Sequence, residues 1–293
     1  LAGNGQLVSP ASTALNSYPS FSTLNATGGT ANYTTAAEQF VKKYSGSTWG
    51  HIVGLMSADD CGYYMLSYDA GFNRAMLLKL DANGNLEWSH GYDNICAPGD
   101  EKHLSFAKNQ QNEIAIAATD GNGVHVITVD VANGANGNLI GEATLKNNVS
   151  SPIQYDYFSS QIIYVPQDYG HNAGFAVIGG VENTQIFWVT KLDNGLSETW
   201  SHEININRAE TFDYDIDVVP TVSGAADNGF IISQGSSNFF NSVGDVSLLH
   251  LSPSGTINWD HTYSKAGISD LIRHTEVEAL PGSAGGGYIT ASE

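Results

Sequence analysis

Four polar residues stand at the start of short apolar strands: His51, His103, Asp215 and His274. Three imidazoles and a carboxylate gathered around one axis could hold a metal ion or orient a polar ligand. Nothing in their spacing fixes ligands on one centre, so a polar channel rim fits the same residues. A second histidine set follows tryptophan: Trp88-Ser89-His90, Trp200-Ser201-His202 and Trp259-Asp260-His261. In an extended chain both side chains of such a pair share one face. Active sites draw unlike residues from different elements. A pair repeated three times is therefore expected to pack structure against structure. A third group is acidic, Asp213-Tyr214-Asp215-Ile216-Asp217. Its same-face carboxylates span about 13 Å when extended, too far for one calcium ion unless the chain bends. A solvated strand entry is expected instead. Asp81-Ala82-Asn83-Gly84-Asn85 has the look of a calcium loop, but its glycine comes fourth, where the helix-loop-helix calcium site wants it sixth. A hairpin turn is the better reading. No nucleophile elbow and no diagnostic carboxylate pair is present. No catalytic residue, resident metal or cofactor is therefore assigned.

The elements that would position these groups repeat. LLKLDANGNLEWSHGY ends at Tyr92, WVTKLDNGLSETWSHEI at Ile204 and LLHLSPSGTINWDHTY at Tyr263. VITVDVANGANGNLIGEATL, ending at Leu145, is a degenerate copy. Each reads as a strand, a Gly/Asn turn and a second strand. A glycine followed by an aromatic and an apolar run precedes the hairpins at Gly62, Gly174, Gly229 and Gly287, with Glu113 opening the weak copy. Gly174 and Gly229 are 55 residues apart, and Gly229 and Gly287 are 58 apart. One more short strand comes before each: 51–56, 103–108, 160–165, 215–219 and 275–280. Four strands recurring at this period predict an all-β, five-bladed propeller of four antiparallel strands per blade. Residues 19–293 form that single domain, and 1–18 a flexible extension. The C-terminus supplies only the first two strands of the last blade. Phe21–Asn25 and Phe40–Tyr44 are predicted to supply the others and close the ring, which removes open sheet edges; the alternative reading is a truncated chain with further blades after Glu293.

The segments Lys79–Trp88 and Lys191–Trp200 resemble secreted bacterial β-propeller repeats whose blades carry KLDxxGNxxW. They are also similar to the tryptophan-docking repeats of PQQ-type propellers. That resemblance implies that Trp88, Trp200 and Trp259 pack between neighbouring blades, with Ile140 in the weak blade and Phe40 in the split one. It implies a fold and not a quinone enzyme, because fold does not fix function.

The chain carries 30 Asp+Glu against 11 Lys+Arg, a formal charge of −19. Phosphate neutralisation needs basic residues, so nucleic acid is not an expected partner. No apolar run reaches the roughly 20 residues of a membrane span. The absence of an initiator Met and the Asn-, Ser- and Thr-rich, Lys-poor composition predict a processed extracellular or cell-surface protein. Sequons stand at Asn25, Asn32 and Asn148. Cys61 falls in a turn and Cys96 in an inter-blade connection, on opposite ends of the strands. A bond within the chain requires the connection to fold back; the other reading pairs Cys96 with Cys61 of a neighbouring copy. The expected role is non-catalytic: a structural or binding propeller that self-associates or meets other surface proteins in a filamentous or surface assembly. A glycan-binding propeller, stacking sugars on Trp49 and Trp188, and a carboxylate-based glycosidase or lyase are the alternatives.

Overall fold

A computed structural model describes residues 22–27, 30–35, 49–69, 72–93, 95–96, 104–120, 123–132, 134–147, 157–167, 172–181, 184, 186–205, 211–219, 229–237, 244–264, 275–279 and 288–292. Among these, every regular element is a strand. β1 (Ser22–Thr27) and β2 (Thr30–Thr35) pair with each other. The first four-stranded sheet holds β3 (Trp49–Ser57), β4 (Tyr63–Asp69), β5 (Arg74–Leu80) and β6 (Leu86–Asp93). The second holds β7 (Ser105–Lys108), β8 (Glu113–Asp120), β9 (Gly123–Asp130) and β10 (Asn138–Asn147). The third holds β11 (Tyr157–Val165), β12 (Gly174–Val181), β13 (Ile186–Asp193) and β14 (Glu198–Asn205). The fourth holds β15 (Thr211–Val219), β16 (Gly229–Ser237), β17 (Gly244–Leu251) and β18 (Ile257–Ser264). β19 (Thr275–Ala279) and β20 (Tyr288–Ser292) form a further antiparallel pair.

Each four-stranded sheet is an antiparallel meander in which neighbours in sequence are neighbours in space. The first strands stand side by side: β3 against β7, β7 against β11, β11 against β15, β15 against β19. This serial stacking of like sheets is the arrangement of propeller blades. The core lies between the sheets. Leu66 and Leu77 of the first sheet meet Ile114, Ile116 and Val129 of the second. Ala117 and Val126 of the second meet Phe175, Val177 and Trp188 of the third. Ile178 and Phe187 of the third meet Ile216, Phe230 and Ile232 of the fourth. Val219, Ile231 and Leu248 then meet Val277 and Ala279. Burial on both faces explains why β8, β12 and β16 read as continuous apolar runs rather than alternating ones.

The recurring glycine has a steric cause. Gly174 and Gly229 have φ of 152° and 145°, and a Cβ there would collide with the carbonyl oxygens of Leu192 and Leu251. The hairpin turns between the third and fourth strands are closed by side chains. Asp81 Oδ1 accepts the Asn83 and Asn85 N–H groups at 2.8 and 2.7 Å, and Asp193 Oδ1 accepts that of Ser197 at 2.8 Å. The segment that resembled a calcium loop is therefore an Asx-closed turn.

Two expectations about the ends stand differently. The N-terminal segment predicted as a third blade strand corresponds to β1, and its partner is β2; no pairing joins either to β20 among the described residues. Phe40, like residues 1–18, lies outside the described residues.

Candidate functional site

The acidic triplet of β15 lies where two inner strands meet. Tyr214 and Ile216 point into the core and are 3% and 1% exposed, so Asp215 and Asp217 alternate onto the other face. Asp215 Oδ2 accepts the Val277 N–H at 2.6 Å, and Asp217 Oδ2 accepts the Ala279 N–H at 2.8 Å. Gln161 of β11 accepts the Ile216 N–H through Oε1 at 2.7 Å. These N–H groups belong to strands whose other edge pairs within its own sheet. The carboxylates and the amide thus satisfy an edge that would otherwise be open. The solvated-entry expectation is corrected accordingly. Burial raises the Asp215 pKa to about 6, against the opposing bonds from Val277 and Gln161.

Of the expected polar ring, Asp215 is the member whose side chain is described. Asp215 pairs with Ser233, four residues past the strand-opening Gly229. The same place in β3, four past Gly62, is Gly54, paired with Leu66. His51 lies three residues earlier, within β3. His103 and His274 lie outside the described residues.

The tryptophans sit at sheet-to-sheet contacts. Trp88 packs against the cluster shared by the first two sheets. Its neighbour Tyr92, whose hydroxyl pKa burial pushes up, donates to the Gly137 carbonyl of the second sheet's turn at 2.7 Å. Trp200 Nε1 donates to Pro253 O in the fourth sheet's turn at 2.9 Å, and its ring meets Phe230 edge-on at 5.7 Å between centroids. Trp259 lies 5.8 Å from the Tyr288 ring of β20. The following histidines extend these contacts. His202 stacks near Trp200 at 5.4 Å and His261 near Trp259 at 5.1 Å, whereas His90 stacks on Tyr92 at 4.9 Å.

In the second sheet the register corrects the sequence assignment by one residue. Ile140 occupies the bulge between Leu139 and Gly141 and is 51% exposed; Gly141, paired with Thr128, holds the tryptophan position. The third sheet's turn fills the missing volume. Leu196, at φ 64° and only 6% exposed, brings its Cδ1 to 3.7 Å from where a Gly141 Cβ would stand. Sequence reasoning missed this exchange because Leu196 lies 55 residues from Gly141. Trp188 also departs from expectation. It is fully buried, with Nε1 donating to Gly180 O at 3.2 Å, and offers no stacking platform.

Opposite the three tryptophans and Gly141 sits a buried polar residue on the preceding strand: Lys79, Lys191 and His250 face Trp88, Trp200 and Trp259, and Thr128 faces Gly141. Lys79 Nζ meets Asp60 at 2.8 Å and Glu87 at 3.0 Å. Burial works against the Lys79 charge, but the two carboxylates raise its pKa overall, and its hydrogen bond holds Asp60 below the usual carboxylate range. Lys191 is 3% exposed and donates to Leu192 O at 2.6 Å. The bulge residue beside it is Thr199 where the first sheet has Glu87, and burial lowers its pKa to about 8.

Cys61 is exposed in the turn before β4, with φ 67°, and Cys96 is 5% exposed in the core between the first two sheets. The two are not bonded to each other. Asn25 and Asn32 face each other across β1 and β2, and Asn148 lies outside the described residues. Among the described residues no group of three His, Cys, Asp or Glu is placed to hold a metal ion, and no helix is long and apolar enough to cross a membrane.

No family model and no curated protein matches the chain. Solved structures similar to it include the Dos1 propeller, at 18% identity and a TM-score of 0.44 over 84% of this chain and 51% of that one. An exo-β-1,3-galactanase from Phanerochaete chrysosporium aligns at 13% identity and 0.42 over 71% and 48%. A protein of unknown function from Bacteroides caccae aligns at 10% identity and 0.39 over 80% and 74%. The chain spans about half the length of the first two. Superpositions this loose assign no activity to it.

Proposed function

We propose that the chain is a non-catalytic extracellular propeller of five blades, closed by its own terminal strands, that serves as a structural or binding subunit of a cell-surface or filamentous assembly. One observation carries this reading: carboxylate, tryptophan and lysine side chains that could serve a site join one sheet to the next. Asp215 and Asp217 accept backbone N–H groups of β19. Trp200 donates to the Pro253 carbonyl. Lys108 of the second sheet pairs with Asp59 in the first sheet's turn at 2.8 Å. Such a molecule offers stacked sheets and a strongly acidic chain, at a formal charge of −19, for contact with partners. Self-association or contact with other surface proteins is the role left to it, through its two ends or through the N-terminal extension adding a strand to a neighbour.

Electron microscopy of the native, unreduced protein tests the assembly reading. Ordered filaments or sheets are expected, and assembly that deletion of residues 1–18 weakens would implicate the extension. Isolated particles at every concentration would contradict it. A glycan-binding reading keeps one observation in its favour, the exposed rings of Phe72 (60%) and Tyr263 (57%). A tryptophan-fluorescence titration with polysaccharide, flat under saturating sugar, would remove it.

A further inference from the structure

The contacts between inner strands follow a rule that runs past the last described junction. Let each inner strand be read back from the residue that pairs just after the strand-opening glycine. The first position is then Ser57, Tyr164, Val218 and Ala279. The third is Leu55, Ile162, Ile216 and Val277, and the fourth is Gly54, Gln161, Asp215 and Glu276. In the second sheet the third and fourth are Phe106 and Ser105.

Two regularities hold along this series. Where the fourth position carries an amide or a carboxylate, that side chain reaches the third position of the next sheet: Gln161 accepts from Ile216 N–H and Asp215 from Val277 N–H, whereas Ser105 Oγ makes no such bond. Likewise Asp217, at the second position, accepts from Ala279 N–H at the first. Where the fourth residue is glycine the next sheet moves in instead, since a Cβ on Gly54 would stand 2.8 Å from the Phe106 ring. The third side chain also packs back onto the preceding sheet. Ile162, Ile216 and Val277 are 2%, 1% and 6% exposed in the clusters they share with that sheet.

Leu55 breaks the second regularity. It stands at the third position and is 60% exposed, and Ile52 on the same face is 63% exposed. That face, with Met65 opposite Leu55, looks away from the second sheet. The sheet that would precede the first in a ring is β19 with β20. Its inner strand carries Glu276 and Glu278 at the two positions that Asp215 and Asp217 hold in β15.

We propose that the inner face of β3 is the docking surface for β19 and β20 of the same chain, and that Glu276 and Glu278 accept the Leu55 and Ser57 N–H groups there. This deepens the closed-ring reading above and rests on it. Charge and register select the occupant: β19 carries glutamates two residues apart, at the register positions of Asp215 and Asp217, on either side of Val277. An uncovered Leu and Ile at an open strand edge would otherwise invite association with other chains.

Two measurements separate the proposal from the ring itself. The first joins Leu55→Cys to Glu276→Cys, in a Cys61→Ser background with Glu278 kept, using a short bismaleimide. An intramolecular product is expected at concentrations where the protein is monomeric. Products only between chains would put a second copy on β3 and overturn docking within the chain, and so would no product at all. The second compares E276A/E278A with E276Q/E278Q by thermal unfolding. Loss of both acceptors is expected to lower Tm by about 5–10 °C, while the amides, which act as Gln161 does, restore most of it. An intramolecular cross-link with no Tm loss in the alanine variant would keep the ring and overturn the roles of Glu276 and Glu278.

Discussion

Asp215 accepts the Val277 N–H at 2.6 Å, joining two inner strands 62 residues apart in sequence. The bond stabilises the carboxylate, yet burial outweighs it and leaves the pKa raised to about 6. Between roughly pH 4 and 6 the folded chain holds a proton that the unfolded chain has released. The stability this group confers is therefore complete below about pH 4 and is lost as pH rises through 6. Unfolding curves at pH 7 and 5 should show the native protein gaining ~1–2 kcal/mol relative to Asp215→Asn, which keeps an acceptor but cannot ionise. Parallel pH profiles for the two proteins would contradict this.

Trp200 is held by both ring and nitrogen. Trp200→Phe removes the bond to Pro253 and should cost about 1 kcal/mol in urea unfolding. Trp200→Ala also empties the space against Phe230 and should cost about 3–5 kcal/mol. No cost for Trp200→Phe would mean the indole nitrogen contributes nothing, and equal costs for the two would mean the ring's packing on Phe230 contributes nothing.

Lys79 and Lys191 share a register position and should respond in opposite directions. Lys79→Met leaves Asp60 and Glu87 without their cation and should destabilise. Lys191→Met removes a charge buried without a carboxylate within ion-pair distance among the described residues, and should stabilise by about 1–2 kcal/mol at pH 7. The Lys191 penalty is full below pH 8. It fades as pH rises from 8 to 10.5, where the unfolded chain still holds the proton, so the two proteins should converge there.

Leu196 fills the place of an absent tryptophan. Leu196→Ala should cost about 2–4 kcal/mol through the cavity left over Gly141. Gly141→Ala should also destabilise, since its Cβ would stand 2.7 Å from Thr128 Oγ1. A neutral result for Leu196→Ala in chemical denaturation would show that the turn collapses to close the gap.

Much of this architecture was legible in the sequence, and the failures have physical causes. The hairpins ending at Tyr92, Ile204 and Tyr263 are β5–β6, β13–β14 and β17–β18, because their turn chemistry and apolar runs are local signals. The weak hairpin ending at Leu145 is β9–β10, but its turn is longer and its bulge falls at Ile140, so counting from the turn misplaced the docking position by one. Alternation put Asp215 and Asp217 on one face correctly. It could not show that the N–H groups of Val277 and Ala279 lie opposite them, because that partnership is set by stacking of sheets distant in sequence. Trp188 read as spare because it lies outside the repeated Trp-x-His pair, yet it is core between the second and third sheets.

The central claim is that these inter-sheet contacts run around a closed ring of five blades. Class averages from electron microscopy of single particles test it most directly. The account expects a closed five-lobed disc in face view. An open arc of four lobes with a gap between β19 and β3, or a ring with a different number of lobes, would contradict it.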